Sequence, residues 1–187
     1  SLRRSAHFFI LTLLMFTILY LIIGVMGGGT TGAKDMEKAY TLGTLIARQG
    51  WVLLKGGRET GVMTASDRGA DDQGGLTIGI LPGSNTQEDS EYIRIPIVPG
   101  LGNARNCINV LSSDVVVACP GGMGTLSEIA LALKCSKPVI LLNYEKEKRF
   151  EPFQHTGNLF YAVSPREVIA HIQKFISRNK KAVSSKL

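Results

Sequence analysis

The residues best placed to do chemistry form one short run, Pro120-Gly121-Gly122-Met123-Gly124-Thr125, with Glu128 three residues beyond it. A Val-rich apolar stretch ending in Cys119 leads into the run, and a helix-compatible stretch from Leu126 to Lys134 follows it. Three glycines in four positions at a strand-to-helix turn present backbone N–H groups to an anion, so such a turn holds phosphate without any side chain. Glu128 has two readings. In Thr125-Leu126-Ser127-Glu128 it fits a capping box on the first turn of that helix, its carboxylate bonding the backbone N–H of Thr125. Beside an anion site it can instead stabilise or activate a reacting group. Spacing alone leaves both readings open.

A second glycine turn, Gly27-Gly28-Gly29-Thr30-Thr31-Gly32, follows the apolar run Leu21–Met26. Its G-x-G-x-x-G spacing matches a dinucleotide fingerprint. A nicotinamide dinucleotide also requires an acid at the end of the next strand to hold the ribose hydroxyls. Here that position reads Lys55-Gly56-Gly57-Arg58, which argues against it. A phosphate cradle and a plain tight turn both remain. No metal-ligand cluster is visible, no lysine sits in a cofactor motif, and no bound cofactor is expected.

The elements that must position these turns follow from apolar periodicity. Strands are predicted at 21–26, 51–54, 76–81, 114–119, 138–142 and 159–163, with an edge strand at 92–98. Helices are predicted at 35–49, 61–73, 103–111 and 126–134. A last helix runs from Ser164-Pro165 to about Arg178, with proline in its first turn and Glu167 near its N-terminus. The stretch 143–158 reads as charged and irregular. Continuous apolar strands alternating with helices imply a single α/β domain over 21–178. Its expected form is a Rossmann-like, doubly wound, mostly parallel sheet with helices on both faces. Ligands of such sheets sit beyond the C-terminal ends of the strands, where the glycine turns after the strands fall.

The quoted motifs resemble a known family. Pro-Gly-Gly-Met-Gly-Thr-Leu-Ser-Glu matches the PGGxGTxxE signature of the LOG ("lonely guy") proteins, formerly labelled lysine decarboxylases. Gly56-Gly57-Arg58-Glu59-Thr60-Gly61-Val62-Met63 resembles the family's earlier glycine motif, and Arg105 stands fifteen residues before Pro120, at the place of its catalytic arginine. The resemblance implies hydrolysis of the N-glycosidic bond of a nucleoside 5′-monophosphate, giving base and ribose 5-phosphate. Glu128 would stabilise positive charge on the ribose or activate water. Arg105 would hold phosphate or orient the substrate. Gly121, Gly122, Gly124 and Thr125 would cradle the phosphate, with Gly27, Gly28, Gly29, Gly56, Gly57, Arg58 and Met63 completing the nucleotide site. A homodimer is implied as well.

Two departures qualify the carry-over. Arg58 stands where LOG enzymes have a third glycine, and Asn106 where they have lysine. These residues, with Ser112-Ser113-Asp114, are more similar to a sister branch that resembles the molybdenum-cofactor carrier proteins of algae and bacteria. On its residues alone, Arg58 is a second pocket cation or a surface charge. Arg105 is an anion ligand or a partner in a helix salt bridge. Two functions of different class follow. One is the phosphoribohydrolase, and the other is a carrier or sensor that binds a phosphorylated nucleotide or pterin without turnover.

Composition bounds the remaining choices. The chain has 187 residues, 44% hydrophobic and 19% charged, with 21 glycines and a formal net charge of +6. Part of the positive excess lies in the tails, at Arg3 and Arg4 and in a basic segment 179–187, which reads as a solvated end. Aromatics do not interleave with a basic stripe, which argues against nucleic acid. Cys107, Cys119 and Cys135 make neither a disulfide framework nor a zinc pattern, which implies a reduced, cytoplasmic setting with all three as small core residues. Residues 1–20 are an apolar extension preceded by Arg3 and Arg4. Once the first strand is subtracted from the apolar run, about fifteen residues remain, short of the ~20 a spanning helix requires. Three readings stand: a short membrane-associating helix, a buried or exchanged element, and a non-native extension.

Overall fold

A computed structural model describes residues 20–29, 32–56, 61–86 and 90–184. The membrane-association reading for residues 1–20 therefore falls almost wholly outside the described residues, as does the tail after Ser184. No described helix is long and apolar enough to cross a membrane.

Seven strands form one sheet: β1 (Ile22–Met26), β2 (Val52–Lys55), β3 (Thr77–Ile80), β4 (Ile95–Ile97), β5 (Val115–Ala118), β6 (Val139–Leu142) and β7 (Leu159–Ala162). Their order is β4-β3-β2-β1-β5-β6-β7, and every neighbouring pair is parallel. Helices α1 (Ala33–Arg48), α2 (Gly61–Asp71), α3 (Arg105–Ser112), α4 (Met123–Lys134) and α5 (Glu151–His155) lie in the connections between strands, and α6 (Pro165–Ser184) follows β7. This is the expected α/β architecture. The central strands β1, β2, β5 and β6 are buried on both faces, so they read as largely apolar runs such as Val-Val-Val-Ala.

Each face has its own core. Ile23, Val25, Leu53, Val115 and Val117 point to one face, where they meet Leu42 and Ile46 of α1, Val62 of α2 and Ile172 of α6. Met26, Leu54, Ile80, Val116 and Leu141 point to the other, against Val110 of α3 and Ile129 and Leu133 of α4. Each fully buried Val, Leu or Ile contributes roughly 1.5–3 kcal/mol. On the first face α1 and α2 cross at two glycines. A Cβ on Gly43 would run into the Ser66 carbonyl, and one on Gly69 into the Tyr40 carbonyl. Only glycine permits helices to approach so closely.

The strand order reverses between β1 and β5, which opens a crevice there. The register Val25↔Val117 and Met26↔Ala118 brings the two strands to the C-terminal edge together. The Gly27 and Pro120 turns thus start side by side, and the Gly28 N–H donates to the Pro120 carbonyl at 3.0 Å.

The structure corrects several boundaries. The edge strand shortens to Ile95–Ile97, with Pro96 on the outermost strand, where a missing N–H does least harm. Residues Gly102–Ala104 form a 3-10 turn ahead of α3, because Gly102 sits at φ +53 and interrupts the helix. The irregular stretch 143–158 contains a 3-10 turn (Lys148–Phe150) and the short helix α5. Helix α6 runs on to Ser184, beyond the expected end. Cys119 is buried, as expected, but Cys107 and Cys135 are exposed, because each falls on the solvent side of a helix end.

Candidate functional site

The correction that matters most lies at α4. That helix starts at Met123, with Gly122 as its N-cap and no side-chain cap. Thr125 is therefore inside the helix and Glu128 is on its second turn. The capping-box reading of Glu128 is ruled out. A related reciprocal cap occurs at α6 instead. There the Glu167 carboxylate accepts from the Val163 N–H at 2.9 Å, and the Ser164 hydroxyl accepts from the Glu167 N–H at 3.3 Å. Released from capping, Glu128 turns inward with 7% of its surface exposed.

A cleft of about 210 Å³ opens at the β1–β5 crevice. The β1 turn contributes Gly27, Gly28 and Gly29, the end of β2 contributes Gly56, and the first turn of α2 contributes Met63. From the opposite side come Arg105 at the start of α3 and Gly122, Gly124, Thr125 and Glu128 from α4. Gly121 lies beneath the turn rather than in the cleft wall. A Cβ there would stand 2.6 Å from the Gly28 nitrogen and clash with the Thr125 side chain. Gly57 and Arg58 lie outside the described residues.

The cleft joins two kinds of anion attraction. The open N-terminus of α4 presents backbone N–H groups and the positive end of the helix dipole. Arg105, 7% exposed, brings a guanidinium to the same space. A Cβ on Gly56 would lie 3.2 Å from Arg105 Nη2 and 3.3 Å from Asn109 Nδ2, so a glycine there lets both groups reach the wall.

Glu128 lines the same cleft from α4. Its Oε1 accepts from Asn109 Nδ2 at 2.8 Å. Burial raises its carboxyl from the ordinary 4.5 to about 7, and the Asn109 hydrogen bond and the Arg105 charge pull only partly in the other direction. A neutral-pH solution thus holds both protonation states. Cys119, at the end of β5, is the reverse case. Burial pushes its thiol up to about 12, so it is inert as a nucleophile.

Three contributors escaped the sequence reading. Asn103 lines the cleft from the 3-10 turn. Asn109 was legible in principle, since it follows Arg105 by one helical turn and must share its face. Lys55 is fully buried at the end of β2, paired with Asp67 of α2. Nothing in the sequence separated that lysine from a solvent-facing one. Asn106, singled out as a departure, also lines the cleft. Its Nδ2 donates to Ser127 Oγ at 2.8 Å and lies 3.5 Å from the Gly124 carbonyl, bracing the glycine turn.

A solved structure from Rippkaea orientalis, described as a molybdenum cofactor binding protein, is 53% identical. The match covers 86% of this chain and 99% of that one, with a TM-score of 0.80. The molybdenum cofactor carrier protein of Chlamydomonas reinhardtii is 44% identical over 84% of this chain and 99% of its own, with a TM-score of 0.78. A cytokinin riboside 5′-monophosphate phosphoribohydrolase of Rhodococcoides fascians is 32% identical over 64% of this chain. The chain spans 64% of that enzyme's length. These relatives place the chain in a LOG-like group with a molybdenum-cofactor-carrier-like branch. The SLOG cluster4 profile matches residues 20–169, most of the sequence, and the chain belongs to the SLOG cluster4 family.

Proposed function

We propose that the chain is a carrier or sensor that binds a phosphorylated pterin in the β1–β5 cleft, in the manner that the names of the molybdenum-cofactor proteins describe. The observation that carries the reading is the state of Glu128. Its Oε1 is engaged by the Asn109 amide at 2.8 Å, and burial raises the carboxyl to about 7. A carboxylate that must stabilise a ribosyl cation has to be ionised and free to face the anomeric carbon. The same arrangement suits anion binding, since a protonated Glu128 does not repel a phosphoryl group beside Arg105. The turn at Gly122–Thr125 takes the phosphate, and Gly27–Gly29 and Gly56 let the ligand approach the backbone closely.

The second reading is the nucleoside 5′-monophosphate phosphoribohydrolase. The structure favours it in one respect, because Arg105 and Glu128 line one cleft as that chemistry requires. On this reading Glu128 is the catalytic carboxylate and Arg105 the phosphate ligand. The homodimer that the resemblance implies belongs to both readings, and sedimentation equilibrium tests it.

One experiment separates the two readings. The protein is mixed with molybdenum cofactor released from a molybdoenzyme, and in parallel with AMP and isopentenyl-AMP. Co-elution of the cofactor and a raised Tm are expected, with no free base from either nucleotide. At a ligand concentration of 100 Kd the stabilisation is about 2.7 kcal/mol. Base release that disappears in Glu128→Ala would establish the hydrolase instead. A flat melting profile with no co-elution would sink the carrier reading.

A further inference from the structure

Asn109 is fully buried, and its two amide atoms are treated differently. Nδ2 donates to Glu128, while Oδ1 is buried with no hydrogen-bond partner. An orphaned buried acceptor costs roughly 1–3 kcal/mol. A leucine-sized apolar residue would avoid that cost and fill the same space. The orphan has a use if the partner changes its own hydrogen-bonding character. An ionised carboxylate only accepts, whereas a carboxylic acid carries one O–H donor. A half-turn of the amide exchanges its oxygen and nitrogen without moving the backbone. Asn109 can therefore satisfy Glu128 in either protonation state, which neither a leucine nor an aspartate does.

We propose that Asn109 is the positioning residue that sets the charge of Glu128, donating to the carboxylate and, after the half-turn, accepting from the carboxylic acid, so that the cleft takes up one proton when it binds a phosphoryl dianion. This rests on the cleft being an anion site, as argued above. The proton balance is simple. Glu128 gains a proton from solvent on one carboxyl oxygen, that O–H bonds to Asn109 Oδ1, and no other group changes state.

The surroundings admit no competing titration among the described residues. Among the described residues Arg105 is the one charged group lining the cleft besides Glu128, and a guanidinium keeps its charge throughout this pH range. The other lining residues are glycines, methionines, asparagines and Thr125. Strands β5 and β6, against which α4 packs, contribute only apolar side chains, and the Cys119 thiol that follows β5 stays neutral. Lys55, next to Gly56, is held in its buried pair with Asp67.

The test has two arms that fail independently. In the free protein, 13C NMR follows the Glu128 carboxyl and 15N NMR follows the Asn109 side-chain amide from pH 5 to 9. Both should titrate with one shared midpoint near 7. In Asn109→Leu the Glu128 proton affinity should rise about tenfold, since the charge-assisted hydrogen bond lost from the carboxylate is stronger than the neutral one lost from the acid. In Asn109→Asp it should rise further, and the titration should split into two steps. Asn109 resonances that ignore the Glu128 titration in the wild type would overturn the proposal, even if neither variant folds. So would a Glu128 midpoint that Asn109→Leu leaves unchanged.

The second arm uses sulfate, a dianion throughout this pH range. Its affinity should fall up to tenfold per pH unit above 7 in the wild type, and should be flat with pH in Glu128→Gln. A pH-independent wild-type affinity would overturn the linkage. Absence of sulfate binding at any pH would count against the anion cleft itself, while the NMR arm still decides the role of Asn109.

Discussion

Two clusters of buried charge meet the C-terminal edge of the sheet, and they are built to opposite ends. Lys55 and Asp67 are wholly shielded from solvent and face each other as a matched ion pair between β2 and α2. Arg105 and Glu128 are each 7% exposed, open to a cleft, and the hydrogen bond that engages Glu128 comes from a neutral amide. The first arrangement holds two elements together inside the core. The second keeps a carboxyl near its midpoint and an acceptor in reserve. Burial by itself therefore does not mark a functional group, whereas burial beside open space with a strongly shifted carboxyl does.

The largest effect is expected from breaking the closed pair. Asp67→Ala strands the Lys55 ammonium in the core and should cost about 3–5 kcal/mol in denaturant unfolding. A loss below about 1 kcal/mol would show that the pair is not structural and would dissolve the contrast.

Glu128→Gln should act in the other direction. The folded state holds the Glu128 proton more tightly than the unfolded chain does between 4.5 and about 7. Stability therefore falls as pH rises through that window, and the full penalty is present above it. Glutamine removes the penalty and should stabilise the protein at pH 8 by roughly 3 kcal/mol, the product of the shift and 1.36 kcal/mol per unit. The gain should vanish below about pH 4.5. Equal stabilities at pH 8 would mean that Glu128 titrates as an ordinary surface acid.

Arg105→Ala sharpens the role of the open cluster. Sulfate or phosphoryl-ligand affinity should drop about ten- to a hundredfold, since one charged hydrogen-bonding group is worth roughly 1.5–3 kcal/mol. Isothermal titration at low salt measures it, and unchanged affinity would remove Arg105 from the site.

The smallest effect is a control for ion pairing without burial. Arg94 meets Asp71 at 2.6 Å, with side chains 53% and 30% exposed. Arg94→Ala should cost less than about 1 kcal/mol, because solvent screens the pair. A loss approaching that of Asp67→Ala would show that proximity, not burial, separates the clusters.

Much of the fold was legible because its signals are local. Apolar runs at 52–55, 115–118 and 139–142 became strands close to where periodicity places them, and the glycine turns fell at the sheet edge. Legibility failed where a boundary depends on what the segment packs against. Helix α4 starts at Met123, ahead of the expected 126, since the Pro120-Gly121 turn before it is held against Gly28 of the neighbouring β1 turn. That shift decided between the two readings of Glu128. The exposure of Cys107 and Cys135 was missed for the same reason, because an apolar neighbourhood in sequence does not say which side of a helix a residue faces.

By itself the sequence determined the parallel α/β plan, the positions of the glycine turns, and the identities of Arg105 and Glu128. A turn that presents bare N–H groups needs glycine wherever it occurs, and that requirement is written residue by residue. Only the tertiary structure decided that Asn109 meets Glu128 across 19 residues of chain and that Lys55 is buried against Asp67. It alone decided that the Glu128 carboxyl rises to about 7. Those facts depend on the packing of α3 on α4, on that of α2 on the sheet, and on the water that such packing excludes. A linear pattern does not specify the electrostatic environment of a side chain.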